Sequence, residues 1–316
     1  MTLSESISAA LAKKTELLKK ETAEYDGKIE ALLNENPEFS KTEGEISKNG
    51  AKLALCALVG NEKQLDELKT TLTALNEKKQ EMLKTAGIDG IKYECEECRD
   101  TGYKDGRICD CIKKSAREIM LAGLSKSAPV YKCTLDNFDL SYYSDPTAKK
   151  RMTAILKLAR EYVLGFKGKD DDNLLFMGNT GLGKTHISLG IAGELIAKGF
   201  DVVYGSAYNL FSKMESEHFS EHTNTKYEAA INCDLLLIDD LGGEFVSPYV
   251  LSLIYNIINT RILSSKPTVI NTNLSMKEIE NTYTPRVASR LIGDYTAKMF
   301  LGSDVRQLKA LSNKKD

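Results

Sequence analysis

Apolar residues recur over residues 1–89 at spacings of three, four and seven. Ile7, Leu11, Leu18, Tyr25, Ile29 and Leu32 form one series, and Leu65, Leu68, Leu72, Leu75 and Met82 form another. On a helix those spacings gather side chains on one face, which predicts long amphipathic helices folded as a hairpin or small bundle. Lys and Glu fill the positions between. Asn34-Glu35-Asn36-Pro37 is expected to interrupt the first helix, and Asn61 to cap a later one. Such helices serve either as an intramolecular coil with solvated charges or as a docking surface for a partner's helices.

From about Ser127 the pattern changes. A helix is predicted over 146–166, with Ala148, Met152, Ile155, Leu158, Ala159 and Tyr162 on its inner side. Short apolar runs at 174–177, 202–204, 235–238, 268–270 and 299–301 then alternate with helical patterns. That alternation predicts an α/β domain over 127–316, a parallel sheet covered by helices on both faces.

Composition narrows the class without deciding it. The chain has 316 residues and a formal net charge of −2, so any nucleic-acid contact must come from a local patch. No apolar run is long enough to cross a bilayer, and Met1-Thr2-Leu3-Ser4-Glu5 lacks the basic and apolar regions of a signal peptide, so a cytoplasmic location is expected. Seven cysteines, an odd number, argue against a disulfide framework. Four of them, Cys95, Cys98, Cys109 and Cys111, form two close pairs in a turn-rich stretch over 90–126. They can converge as four thiolates on one tetrahedral ion, and Zn²⁺ in a closed structural site is the expectation. Cys56, Cys133 and Cys233 have no cysteine neighbours and are expected to be buried small hydrophobes.

The chemistry centres on Gly178-Asn179-Thr180-Gly181-Leu182-Gly183-Lys184-Thr185, a complete G-x-x-x-x-G-K-T followed by His186. An apolar strand leads in and a helical pattern leads out, the context that a phosphate-binding loop requires. Its glycines let backbone N–H groups turn toward an anion, and the helix N-terminus adds positive potential. Lys184 would reach the β/γ-phosphates of ATP, and the Thr185 hydroxyl would ligate Mg²⁺. The run 235–238 delivers Asp239, a second Mg²⁺ ligand through water, and Asp240, placed to orient or deprotonate the attacking water. The extra strand at 202–204, between these two motifs in sequence, fits the ATPase branch with an additional central strand better than a small-molecule kinase. Asn271-Thr272-Asn273 ends the next strand, where an amide can hold the attacking water. Arg286 and Arg290 lie one helical turn apart, and Arg290 suits an arginine finger supplied in trans.

The series GNTGLGKT, LLLIDDLGGE, VINTN, RVASRL and GSDVR resembles the bacterial replicative-helicase loaders, AAA+ ATPases of the DnaC/DnaI type. The core is also similar to that of the transposition helper IstB, whereas the cysteine segment resembles loaders and loader-like proteins of Gram-positive bacteria. This likeness covers roughly the last 190 residues of the chain. It implies an AAA+ domain without a helical lid and an ATPase that self-associates. It further implies a hexameric replicative helicase as partner and single-stranded DNA as ligand during replication initiation or restart. By the same resemblance Asn273 matches sensor 1, Arg290 the trans finger, and Arg306 a sensor 2-like arginine. Asp240 matches the catalytic acidic position, with Glu244 as its alternative. Ser247 and Tyr249 fall where loaders carry a DNA-contacting Ser-x-Tyr. Phe211, Lys213 and Phe219 are a second DNA candidate, with Phe211 better suited to the core than to DNA contact. Phe138 is expected near the adenine, and His218 and His222 are expected at the surface. A transposition helper, a metabolic P-loop kinase and a non-hydrolysing nucleotide-binding adaptor are the competing readings.

Overall fold

The computed structural model describes residues 2–59, 62–127 and 132–312; Asn61 lies outside them. The chain forms two compact units, one of Leu11–Ile112 and one of Met1–Ala10 with Lys113–Asp316. The grouping differs from the three-part division expected at residues 89 and 126. The cysteine segment shares a unit with the long helices, and the residues from Lys113 onward belong with the α/β sheet.

In the first unit the expected helices are α1 (Leu3–Glu35), α2 (Pro37–Val59) and α3 (Glu62–Thr85). The break falls at Asn36, whose side-chain oxygen accepts from the N–H groups of Glu38 and Phe39 at 3.0 Å. Pro37 then occupies the first helical position, where a missing N–H costs nothing. Phe39 and Leu83 are buried, and the ion pairs Lys78–Glu38 and Lys79–Glu43 link α3 to α2. The stripe residues Leu18, Tyr25, Ile29, Leu32, Leu65, Leu68, Leu72, Leu75 and Met82 are half-buried. A small antiparallel hairpin, β1 (Tyr103–Lys104) with β2 (Arg107–Ile108), follows.

The α/β unit takes in α4 (Asp110–Ser127) from Lys113 onward, then α5 (Pro146–Gly165), β3 (Asn173–Met177), α6 (Lys184–Lys198), β4 (Val202–Ser206) and α7 (Ala207–Ser216). It continues with α8 (Thr225–Asn232), β5 (Leu235–Leu241), α9 (Pro248–Leu263), β6 (Thr268–Thr272), α10 (Met276–Thr282), α11 (Pro285–Gly293), β7 (Tyr295–Met299) and α12 (Val305–Ser312). The five strands stand in the order β4-β5-β6-β3-β7, and every neighbouring pair is parallel. Successive side chains of a strand point to opposite faces. Leu174 and Phe176 of β3 therefore enter one core with α5 and α6, while Leu175 and Met177 enter the other with α7, α9 and α11.

Four details differ from the sequence expectation. The strand between β3 and β5 is β6; β4, expected as the additional central unit, lies at the sheet edge. The last strand is Tyr295–Met299, not 299–301. It is an edge strand and needs little apolar character, whereas the apolar run ends in Phe300, which packs against Phe176. Helix α5 stops at Gly165, with Leu156 and Val163 buried while Leu158 and Tyr162 sit at the margin. Of the lone cysteines only Cys233 is buried; Cys56 and Cys133 are half-exposed.

Arg261 of α9 fixes the end of the sheet away from the nucleotide motifs and is fully buried. Its Nε donates to the Thr268 hydroxyl at 3.0 Å, Nη1 to the carbonyls of Ala230 (2.7 Å) and Cys233 (3.1 Å), and Nη2 to that of Pro267 (2.5 Å). Removing the guanidinium leaves those acceptors dry and unpaired. Arg261→Leu is expected to lower unfolding free energy by roughly 3–5 kcal/mol, measured by urea denaturation.

Candidate nucleotide-binding site

The loop between β3 and α6 is built to leave backbone donors free. Helices α5, α7, α9, α10 and α11 each begin on a capping side chain: Asp145, Ser206, Ser247, Ser275 and Thr284. Helix α6, like α8, has no side-chain cap; it begins on Gly183 at φ 89°, so its first N–H groups have no capping side chain and remain for an anion. The loop is held from outside. Tyr143 Oη donates to the Leu182 carbonyl at 2.9 Å, and burial pushes this phenol up to about 12. Val305 N–H donates to the Gly181 carbonyl at 3.0 Å, which fastens the start of α12 to the loop.

Lys184 folds back across the loop, its Nζ donating to the carbonyls of Gly178 (2.6 Å) and Asn179 (2.8 Å). Burial pulls its ammonium below the usual range, partly opposed by Asp240 and Asp239. His186 donates its Nε2–H to the Thr134 carbonyl and Asn137 Oδ1 and lies edge-on to Phe138, which stacks on Tyr143. Burial lowers the His186 pKa, favouring the neutral ring. Phe138 thus sits beside Gly183, packed into the wall of the site.

The other half of the site is Asp239, at the carboxyl end of β5. Thr185 Oγ1 donates to its Oδ1 at 3.0 Å, Asn271 Nδ2 to the same oxygen at 2.7 Å, and Tyr204 Oη to Oδ2 at 3.1 Å. Asn271 also donates to Ser188 Oγ at 2.7 Å, while its own Oδ1 is buried without a partner. A hydrated divalent cation suits this place: Asp239 and Thr185 supply hard oxygens, and the orphaned Asn271 oxygen can accept from a bound water. Asp240 follows at φ 57°, exposed within a register shift of β5 between Ile238 and Leu241.

Other expected residues are placed differently. Asn271, not Asn273, contacts Asp239; Asn273 stands exposed just past the end of β6. Glu244, the alternative to Asp240, is buried and engaged at both oxygens, by Tyr283 Oη and by Gly242 N–H at 3.0 Å. Arg306 is exposed on α12, and Arg290 is half-buried on α11. Ser247 caps α9, donating to Glu215 at 3.1 Å. Tyr249 is half-buried, with His218 stacked at 5.0 Å and exposed Phe219 at 5.1 Å. Lys213 is exposed and Phe211 is buried in the core. Sequence reasoning missed Tyr204 and Asp304. A polar side chain inside a buried apolar run, such as Asn271 in β6, is a signal that pattern reading can use.

The four expected cysteine sulfurs converge in the helical unit. Cys95 and Cys109 lie 3.8 Å apart and Cys98 and Cys111 3.6 Å apart, with all four within 4.8 Å. A tetrahedral ion with metal–sulfur bonds of about 2.3 Å requires sulfur separations of about 3.8 Å, so the donor set fits zinc. The Cys98 backbone N–H brings the Cys95 thiol down to about 7, while burial pushes Cys98 and Cys111 up. A cation is needed to hold all four as thiolates. Asp100 organises this knuckle: its carboxylate accepts from the N–H groups of Glu94 (2.8 Å) and Cys95 (3.0 Å) and from Lys14 Nζ (2.8 Å).

A β-carbon at Gly181, where φ is 77°, would lie 2.0 Å from Asp304 Oδ1. Gly181→Ala is therefore expected to displace the start of α12 and weaken binding of a fluorescent ATP analogue at least tenfold, roughly the effect of 1.4 kcal/mol. Removing the carboxylate with Asp304→Ala in the same chain should restore only part of that loss, since the backbone strain at residue 181 remains.

Residues 113–295, well over half the chain, match the family described as IstB-like ATP binding protein. The replicative helicase loader DnaC of Escherichia coli (strain K12) is 29% identical over 161 residues, covering 50% of this chain and 62% of that protein. An ATP-binding protein of insertion sequence IS5376 from Geobacillus stearothermophilus is 26% identical over 170 residues, covering 54% of this chain and 63% of its own. The chain thus spans less than two thirds of the length of either relative. A crystal structure of the DnaC helicase loader superposes with a TM-score of 0.48 at 23% identity, over 55% of this chain and 99% of that one. The matched span begins at Lys113, where the α/β unit resumes, and encloses the uncapped α6 with its loop, Asp239 and Asn271. The chain belongs to the IstB-like ATP-binding protein family.

Proposed function

We propose that the protein is an ATPase that loads a hexameric replicative helicase onto single-stranded DNA in the cytoplasm. The observation that carries this reading is the pairing of an open phosphate cradle with a preset Asp239, in a chain similar to a helicase loader. Among the described residues no helix is long and apolar enough to cross a membrane.

In this reading Gly178 to His186 surround the phosphates, and Lys184 leaves its two carbonyls for the β- and γ-phosphates. Thr185 and Asp239 would hold Mg²⁺, which would neutralise phosphate charge. Tyr204 and Asn271 keep the Asp239 carboxylate in place, and the Thr185 hydroxyl would supply a second oxygen to the ion. Asp240 takes the proton of the attacking water, since Glu244 is occupied by Tyr283. Asn273, at the strand tip, orients that water. Arg306 responds to the γ-phosphate from α12. Arg290 completes a neighbouring copy's site, so turnover depends on self-association. The helical unit with its zinc knuckle docks on the helicase, and Lys213, Ser247 and Tyr249 contact DNA.

Arg290→Ala is expected to cut ATP turnover by about 10³-fold with ATP affinity nearly intact, compared with and without single-stranded DNA. Turnover that survives this change would remove the shared-site reading. Metal analysis should find zinc in the purified protein. Cys98→Ser should abolish that zinc and co-purification with the helicase, leaving ATP binding unaltered.

A second reading rests on the similarity to the insertion-sequence protein: a transposition helper that engages a transposase on duplex DNA. Strong preference for duplex over single-stranded DNA, with no helicase captured under any nucleotide condition, would favour it.

A further inference from the structure

Arg290 is held in a way that an ordinary surface arginine is not. Its Nε donates to Asn259 Oδ1 at 2.8 Å, and its guanidinium carbon lies 4.8 Å above the centre of the Tyr255 ring. Both partners belong to α9, four residues apart and so on one helical face. Arg290 belongs to α11, whose apolar residues Val287, Ala288 and Leu291 are buried against the same core as α9. No carboxylate pairs with Arg290 among the described residues. Its Nε and one flat face are taken, while the two terminal nitrogens have no hydrogen-bond partner among the described residues.

That arrangement leaves a charged fork, fixed at its stem and free at its tip, suited to two oxygens of one phosphate. A flexible arginine would have to be ordered each time it met an anion. Here the ring face and the amide oxygen have already restricted it. Tyr255 packs at the margin of the second core and Asn259 is not part of it. Both are half-buried, whereas their helix neighbours Ile254, Ile257 and Ile258 face inward.

We propose that Asn259 and Tyr255 are positioning residues that preset Arg290 for the γ-phosphate of ATP bound by a second copy of this chain. The inference rests on the reading of Arg290 as a cation supplied in trans. Helix α9 starts shortly after Asp240, which leads from β5 through Ser247. The helix that follows a protomer's own water-activating residue therefore also carries the clamp on the arginine it lends.

The test is steady-state ATP turnover at saturating single-stranded DNA, with thermal melting and nucleotide affinity measured on each variant. Asn259→Leu and Tyr255→Leu are each expected to lower kcat about tenfold or more, with KM for ATP and melting temperature little changed. Asn259→Asp keeps an acceptor and Tyr255→Phe keeps a ring face, and both should recover most of the rate. Combined with Arg290→Ala, neither Leu substitution should cost anything further, because residues acting through one group are not additive. Mixing either Leu variant with Asp240→Asn protein, which brings an intact clamp but no turnover of its own, should restore activity. If a Leu variant fails to fold, Asn259→Ala and Tyr255→Met carry the same comparison. Unchanged kcat in these variants, while Arg290→Ala is inactive, overturns this inference alone. Full activity of Arg290→Ala overturns the trans reading and this inference with it. A loss that appears in KM or melting temperature, without rescue by mixing, overturns the inference in favour of a purely structural contact.

Discussion

One carboxylate sets the geometry of the nucleotide site. Asp239 receives a hydroxyl from Thr185 on α6, an amide from Asn271 on β6 and a phenol from Tyr204 on β4. Hydrogen bonds to a charged acceptor in a shielded place are worth more than neutral ones, commonly about 1.5–3 kcal/mol each. Three elements are therefore tied to one point at the carboxyl edge of the sheet. Their convergence depends on the strand order, since β4 and β6 flank β5 only in the parallel arrangement observed. Parallel strands end together, and loops leaving that edge bring polar tips into one crevice.

The opposite end of the same sheet is organised by a different interaction. Arg261 spreads its donors over backbone carbonyls from the end of α8 and the approach to β6. Among the described residues no carboxylate pairs with it, and the guanidinium is committed to these carbonyls and the Thr268 hydroxyl. The sheet is thus pinned by a cation at one end and by an anion at the other. A shift of β6 along its neighbours would break both sets of contacts. Arg290, on α11, belongs to neither set; among the described residues its side chain is held by its two α9 partners, which suits a group that acts outward.

The phosphate loop, the strand that bears Asp239, and the convergence of four cysteines were legible because each depends on residues close in sequence. Spacing within one loop or one pair of turns is a local matter, and local geometry follows from it. The break at Asn36-Pro37 belongs to the same class: a cap and a helix-starting proline act over three residues. Hydrophobic pattern misplaces the edge strand β7 because Tyr295 is the only buried residue of its five, and the apolar Phe300 beside it serves the core after the strand has ended.

The amino-acid order alone fixed the phosphate cradle, the acidic strand tip, the cysteine cluster and the long amphipathic helices, since hydrophobic period and short-range spacing encode them. Tertiary structure decided which strand came between β3 and β5, that Asn271 reached Asp239, and that Tyr283 withdrew Glu244. It also decided that Tyr255 and Asn259 would clasp Arg290. These contacts join residues far apart in the chain. Their partners are chosen by how packed layers meet, and nothing in local pattern carries that information.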